Sequence, residues 1–167
     1  LMLFAFALTA SAETKTGTCG DNLTYTLDTD TGVLTITGTG EMENFSWGRA
    51  PWYSDCSSIR TVVIADGVTS IGKNAFYYCS SLESITIPDS VKRIGDYAFY
   101  NCKSLESITI PNGVTSIGEY AFTWCENLTS FHVDVNNQNY TSVNGILFDK
   151  SMTTLIQAPS LLSDTAY

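Results

Sequence analysis

The residues of this chain best suited to chemistry are its cysteines. Four of the five recur at intervals of 23 residues, namely Cys56, Cys79, Cys102 and Cys125. Four thiolates suggest zinc, but a zinc site holds all of its sulfurs about 2.3 Å from one ion. Side chains that recur once per repeat of a stacked chain instead form a line, about 4.8 Å from neighbour to neighbour and roughly 14 Å from end to end. The spacing therefore excludes a zinc site, and we expect no metal and no cofactor.

The same spacing leaves two structural roles open for these cysteines. Neighbours in the line fall within the Cα distance range of a disulfide, and a secretory N-terminus would permit oxidation. Small buried thiols that pack as apolar side chains are the other possibility. We expect a buried and reduced column, which we call the cysteine ladder. Cys19 lies outside the ladder and is expected to be structural.

Two further groups are candidates for catalysis or metal binding. His132 is the only histidine, and its neighbours Phe131 and Val133 predict that it projects outward from a strand, beside Thr109. A hydrolase triad needs a histidine beside a nucleophile and a carboxylate, and the chain has no G-x-S-x-G elbow. Segment 28–32 (DTDTG) has its glycine in fifth place and no Glu in twelfth, unlike a calcium loop. We therefore predict an exposed histidine, a polar turn and no catalytic residue.

A 23-residue repeat supplies the elements that would position these residues. Segments 59–81, 82–104 and 105–127 align with one another position by position. Such a period is typical of a solenoid, in which each repeat is one supersecondary unit stacked on the next. In the central repeat, Leu82 and Ile85 lie on the apolar side of an alternating pattern, which predicts a short strand with one buried face.

The rest of the repeat predicts how the chain turns back toward the core. Pro88 ends the strand because proline has no N–H to donate. Gly95 permits a bend, and Asp96 is placed to cap a short helical turn over 97–100. The expected strands, adjacent, parallel and in register, are 61–64, 84–87, 107–110 and 130–133.

The repeat pattern C-x-x-L-x-x-I-x-I-P-x-x-V-x-x-I-G-x-x-A-F resembles the BspA-like class of bacterial leucine-rich repeats. Three consecutive units carry it nearly whole, and segment 50–56 (APWYSDC) matches its end. The resemblance covers most of residues 50–167. It implies an α/β leucine-rich-repeat solenoid that is mainly β, with a parallel sheet of short strands and short helical turns on the convex side. For function, it implies display at a cell surface and adhesion.

The segments that flank the regular repeats have different patterns. Residues 1–12 (LMLFAFALTASA) predict the end of a truncated signal peptide with an A-x-A cleavage site, since the apolar run is too short to span a membrane. Within 13–49, alternating runs at 23–27 and 34–36 predict a β-hairpin that caps the first repeat. The repeat domain is expected to cover 50–167, with a degenerate last repeat that is incomplete at its C-terminus.

Composition restricts the partners of the chain. It has 167 residues, eight Lys and Arg against 17 Asp and Glu, and a formal net charge of −9. Nucleic acids and anionic membranes attract basic surfaces, so neither nucleic-acid binding nor membrane insertion of the mature chain is expected. The apolar fraction of 44% is ample for a folded core. We expect a monomer that is secreted or held at a cell surface.

Two surfaces are candidates for binding a partner. Outward positions of the predicted strands carry mostly small polar side chains, which leave a flat sheet accessible. Aromatic residues beside the buried phenylalanines could form a second surface on the convex side, and packing across neighbouring turns is the alternative for them. The sheet candidates are Thr61, Val63, Ser84, Thr86, Ser107, Thr109, Ser130 and His132. The convex candidates are Tyr77, Tyr78, Tyr100 and Trp124.

Together these patterns predict a binding module rather than an enzyme. The expected partner is an extracellular or host-surface protein, such as a matrix protein, bound in an adhesin-like manner. The alternative is a non-catalytic spacer or targeting arm of a larger secreted enzyme. Adjoining sequence would distinguish them, because a hydrolase domain would favour the arm and further repeats or a cell-wall anchor would favour the adhesin.

Overall fold

The computed structural model describes residues 13–161. The expected signal peptide at 1–12 and the chain end at 162–167 lie outside the described residues. Among the residues described, no helix is long and apolar enough to cross a membrane. The fold is a mainly β solenoid with parallel sheets, as the repeat predicts.

The N-terminal cap is an antiparallel meander of three strands. These are β1 (Thr14–Gly20), β2 (Leu23–Asp28) and β3 (Val33–Gly38). The hairpin of β2 and β3 was predicted, and β1 was not. Segment 28–32 is a polar turn as predicted: the Asp28 carboxylate accepts hydrogen bonds from the N–H groups of Asp30 and Thr31 at 3.0 and 3.1 Å. Gly32 follows with φ +71°, a conformation that suits glycine.

The cap continues directly into the sheet of the repeats. Strand β3 pairs in parallel with β5 (Thr61–Ile64), and β5 pairs in parallel with β7 (Ser84–Thr86). Further along, β9 (Ser107–Ile110) pairs in parallel with β11 (Ser130–Val133). Parallel pairing in a 23-residue register is therefore confirmed, although no ladder joins β7 to β9 in the described chain. The domain boundary at residue 49 stays a prediction, because the cap and the repeats share one sheet.

A second parallel sheet was not predicted. It consists of β4 (Gly40–Glu41), β6 (Val68–Ile71), β8 (Arg93–Ile94) and β10 (Ser116–Ile117). Ile71 and Ile94 are paired across it and fully buried. Each regular repeat thus contributes one strand to either side of the solenoid, and the apolar side chains fill the space between the two sides.

The short helical turns expected in each repeat are absent from the described residues, where the one helical element is a 3₁₀ turn at Tyr53–Asp55. The hydrogen bonds of the backbone explain why the predicted helical turns do not form. The N–H groups of Tyr97, Phe99 and Asn101 donate to carbonyls of the next repeat at 2.8–3.0 Å, and only those of Ala98 and Tyr100 donate three residues back. Tyr97 (φ 54°) and Asn101 (φ 61°) are also left-handed. Alternate N–H groups therefore link repeats, which no helix permits.

Stacked aromatic rings run through the core. Phe76 and Phe99 lie 5.3 Å apart between ring centroids, and Phe99 and Phe122 lie 5.5 Å apart. Trp52 extends the stack at the cap side, and its buried indole N–H donates to the Ala75 carbonyl at 2.8 Å. One apolar ring per repeat thus sits directly on the next.

An antiparallel sheet closes the described chain. Its strands are β12 (Tyr140–Val143), β13 (Ile146–Asp149) and β14 (Leu155–Gln157). The apolar segments predicted near 145–149 and 154–159 are β13 and β14. Asn137 is fully buried before them, and its amide donates to the carbonyls of Pro111 and Val114. One side chain thus satisfies backbone groups of the last regular repeat.

Replacement of Phe99 by Ala should be strongly destabilising, because it removes a ring that contacts both neighbouring repeats. We expect a loss of about 3–5 kcal/mol in the free energy of unfolding. Tyr78→Ala is the matched control, since that ring is 46% exposed, and should cost about 1 kcal/mol or less. Denaturant unfolding followed by circular dichroism measures both, and equal losses would contradict the stacked-core account.

Candidate functional site

The structure places the eight sheet candidates on one face. Register pairing aligns Thr61 with Ser84 and Ser107 with Ser130, and the second column, two residues along each strand, is aligned in the same way. The Thr61 and Ser84 hydroxyl oxygens lie 3.3 Å apart. Thr61, Val63 and Ser130 are half-buried, and the other five side chains are exposed. The prediction that these positions bind a partner stays a prediction.

The cap extends this face, which the sequence reasoning missed. Thr35 pairs with Val63, Thr26 pairs with Thr35, and Thr16 pairs with Thr26, so their side chains share one side of the sheet. The alternation of threonine along the cap strands was the sequence pattern that could have predicted this extension. We call the whole surface the hydroxyl face. It comprises the eight sheet candidates together with Thr16, Thr18, Thr24, Thr26, Thr35 and Thr37.

His132 projects outward beside Thr109, as predicted, and its ring is exposed. The Ser130 hydroxyl lies 3.2 Å from His132 Nε2, a contact that was not predicted. A working nucleophile–base pair also needs a group that orients the histidine and an enclosed site. Within residues 13–161, Ser130 supplies the one side-chain hydrogen bond to this ring, and the pair lies on an open sheet.

The cysteine ladder is buried, as predicted, but it is not fully reduced. Cys56 and Cys79 form a disulfide with their Cα atoms 4.2 Å apart, so the expectation of four free thiols was wrong for this pair. Stacking of neighbouring repeats brings the two residues within bonding reach. Cys102 and Cys125 are free, and each thiol donates at 3.2 Å to a carbonyl of the preceding repeat. Cys19 is free and buried in the cap.

Burial keeps the free thiols protonated. It raises the pKa of Cys102 well above 9, the pKa of Cys125 to about 12 and the pKa of Cys19 to about 11. A thiol must ionise to act as a nucleophile or a metal ligand. Across residues 13–161, no three potential metal-binding side chains cluster around a common point.

Exposed and half-buried aromatic rings form a continuous surface on the turn segments. Trp47 lies 5.2 Å from Tyr77 and 5.4 Å from Tyr97, and Tyr97 lies 5.6 Å from Tyr100, all between ring centroids. We call this the aromatic surface, formed by Trp47, Tyr77, Tyr78, Tyr97, Tyr100 and Tyr120. The rings of this surface pack across neighbouring turns. Some of them are also largely exposed, since Trp47 is 60% and Tyr120 is 54% exposed.

Half of this surface was predicted from the sequence. Tyr77, Tyr78 and Tyr100 belong to it. The predicted Trp124 is 57% exposed but pairs with no other ring in the described chain. Trp47 was missed because it comes from the loop after the cap. Tyr97 and Tyr120, at equivalent positions of successive repeats, were detectable by their 23-residue spacing.

The raised thiol pKa values predict a loss of stability in alkali. The folded protein keeps its buried thiol protons above pH 9, whereas the unfolded chain releases them. Their contribution to stability is therefore complete below pH 9 and disappears as the pH rises toward 12. We expect each fully buried thiol to reduce the free energy of unfolding by about 1.4 kcal/mol at pH 10.

Chemical unfolding at pH 8 and pH 10 tests this expectation on the wild type and Cys102→Ala. The variant should lose less stability between the two pH values, by the share of one thiol. Ser104→Ala serves as the control and should retain the full wild-type change. An identical pH change in the wild type and Cys102→Ala would contradict a protonated buried thiol.

Solved bacterial proteins share this fold. A leucine-rich repeat protein from Eubacterium ventriosum is 28% identical, with a TM-score of 0.58 over 92% of this chain and 53% of its own. A leucine rich cell surface protein from Faecalibacterium prausnitzii is 19% identical, with a TM-score of 0.60 over 93% of this chain and 64% of its own. The pneumococcal vaccine antigen PcpA is 19% identical, with a TM-score of 0.55 over 91% of this chain and 57% of its own.

At identities of 19%, the latter two likenesses show the fold alone. This chain spans between about half and two thirds of the length of the three proteins. No curated protein matches the sequence. The model of the BspA type leucine rich repeat region matches residues 49–165 in six copies. With the 23-residue period and the stacked parallel strands, this match shows that the chain belongs to the BspA type family of leucine-rich-repeat proteins.

Proposed function

We propose that this chain is a monomeric, surface-exposed module that binds an extracellular or host-surface protein through the hydroxyl face, in an adhesin-like manner and without catalysis. The observation that carries the proposal is the extent of that face, which includes residues of the cap strands and of β5, β7, β9 and β11. Threonine and serine side chains line it from β1 through the repeats, and most of them are exposed. Small side chains leave the sheet flat, so a folded protein can approach it closely.

The composition of the face favours a broad contact. Serine and threonine are rare among interface hot spots, which are enriched in Trp, Tyr and Arg. Binding should therefore be distributed over several repeats, each of which adds a modest increment. The net charge of −9 disfavours nucleic acid and anionic membranes as partners.

Two proteins that share the fold support a location at the cell surface. The protein from Faecalibacterium prausnitzii is described as a cell surface protein, and PcpA as a vaccine antigen. Both descriptions apply to those two proteins and not to this chain. For this chain, surface display is a proposal that also rests on the secretory pattern of residues 1–12 and on the buried disulfide, which suits an oxidising compartment.

A charge placed on the hydroxyl face should weaken binding. Wild type and the double variant Thr86→Glu, Thr109→Glu are compared by surface plasmon resonance on a panel of extracellular-matrix and cell-surface proteins. We expect a loss of affinity of about tenfold or more, because two carboxylates would be desolvated at the centre of the contact. Ser116→Glu is the matched control, since Ser116 is exposed on the other sheet.

Removal of residues 105–127 as a whole repeat should give a graded loss of the same binding with the fold retained. Complete loss on His132→Ala alone would contradict a distributed contact. Failure of the wild type to bind any member of the panel would contradict the proposal and favour the spacer role.

The absence of catalysis is tested at the one Ser–His contact of the described chain. A fluorophosphonate probe labels serines activated by a histidine. Because the Ser130–His132 pair is open to water and no carboxylate within residues 13–161 bonds to His132, we expect no labelling of Ser130 above that of Ser107. Ser107 is an exposed serine at the equivalent position of the preceding repeat. Selective labelling of Ser130, abolished by His132→Ala, would show a hydrolase site and overturn this part of the proposal.

A further inference from the structure

The aromatic surface contains a short stack of rings with two different ends. Tyr97 and Tyr120 are equivalent residues of successive repeats, and their centroids lie 5.1 Å apart with the ring planes 21° from parallel. Each is preceded by a carboxylate, Asp96 before Tyr97 and Glu119 before Tyr120. Asp96 also accepts a hydrogen bond from the N–H of Glu119 at 3.1 Å. The two tyrosine–carboxylate pairs are thus neighbours in one column.

A cation occupies one end of this stack. Lys73 Nζ lies 5.9 Å from the centroid of the Tyr97 ring and 3.8 Å from the Asp96 carboxylate. An ammonium group within about 6 Å of an aromatic centroid is attracted by the negative face of the ring. The protein therefore already shows how a cation is held here, by a tyrosine and the carboxylate that precedes it.

At the other end of the stack the same two groups occur, and no cation from residues 13–161 lies on them. Tyr120 is 54% exposed, and Tyr97 is the one ring paired with it in the described chain. Glu119 is exposed and forms no ion pair with any residue in 13–161. Lys73, Asp96 and Glu119 are equivalent residues of three successive repeats, so this column changes from a lysine to two carboxylates toward the open end.

A cleft adjoins this open end. It has a volume of about 240 Å³, and its lining includes Glu119, Tyr120, Leu155 and Ile156. Leu155 is 57% exposed. The cleft thus combines an aromatic ring, a carboxylate and an apolar wall, which suits a side chain with an apolar stem and a cationic head.

From these contacts we infer that the open end of the aromatic surface binds an arginine- or lysine-bearing segment of a protein partner, with the cationic head over Tyr120 and beside Glu119 and the stem along Leu155. Charge complementarity supports this occupant, because carboxylates border the rings and the chain carries a net charge of −9. Arginine fits best, since its planar head stacks on a ring and pairs with a carboxylate at the same time. This site is separate from the hydroxyl face and does not depend on its function.

The test uses fluorescein-labelled peptides of equal length and fluorescence anisotropy. The peptides alternate glycine with arginine, lysine, glutamine or glutamate, and an oligomer of N-acetylglucosamine represents glycans. We expect the arginine peptide to bind best, and Tyr120→Ala to weaken its binding by about threefold to tenfold. Glu119→Gln should weaken it to a similar extent, whereas Tyr120→Phe, which keeps the ring face, should bind within about twofold of the wild type.

Matched controls separate a defined site from general attraction to an acidic protein. Trp124→Ala removes an exposed ring outside the aromatic surface, and Glu106→Gln removes an exposed carboxylate elsewhere. Both should leave peptide binding unchanged, as should the hydroxyl-face variant Thr86→Glu, Thr109→Glu. Equal effects of Glu119→Gln and Glu106→Gln, or binding unaffected by Tyr120→Ala, would show charge attraction alone and overturn the proposal. Binding of the glycan in place of the arginine peptide, or of no probe, would also overturn it.

Discussion

The inability of one repeat to bury its own apolar side chains is the constraint on which the rest of the structure depends. A 23-residue unit with two short strands has apolar residues on its inner side and backbone groups on both edges. Only a neighbouring repeat can cover the ring of Phe99 and accept the N–H of Tyr97. Stacking therefore buries the apolar side chains and supplies hydrogen-bond partners for the backbone at the same time. Each repeat is stable only within the array.

This constraint also decides what the surface can be. When equivalent residues stack, each exposed position becomes a column that runs along the solenoid. Opposite charges follow this geometry, as in the pairs Arg60–Glu83 and Lys103–Glu126, each separated by 23 residues. Exposed pairs of this kind contribute little to stability, about 0–1 kcal/mol each. Columns of hydroxyls and columns of aromatic rings matter for binding instead, because they present the same chemical groups to a partner at regular spacing.

Special residues are needed wherever the regular stacking begins or is interrupted, since the regular repeat there lacks an equivalent neighbour on one side. At the N-terminal side, the cap meander continues the sheet through β3, and Trp52 covers the first phenylalanine. At the other side, buried Asn137 bonds to backbone carbonyls of the last regular repeat. Both solutions use residues that break the repeat pattern. The same break brings Trp47 and Leu155 beside the regular columns and gives the aromatic surface its distinct ends.

Spacing in the sequence determined the period, the parallel register, the inward columns and the line of cysteines, because these follow from which residues occupy equivalent positions. It could not determine the bonds made within a column. The same spacing admits a disulfide at Cys56–Cys79 and a thiol–carbonyl bond at Cys102, and a pattern suited to a helix at 97–100 became a set of links between repeats. The second sheet, the extension of the hydroxyl face over the cap and the place of Trp47 were likewise decided only in three dimensions. The physical reason is that each depends on the distance and orientation of backbone from another repeat, whereas a periodic pattern specifies only which residues are stacked.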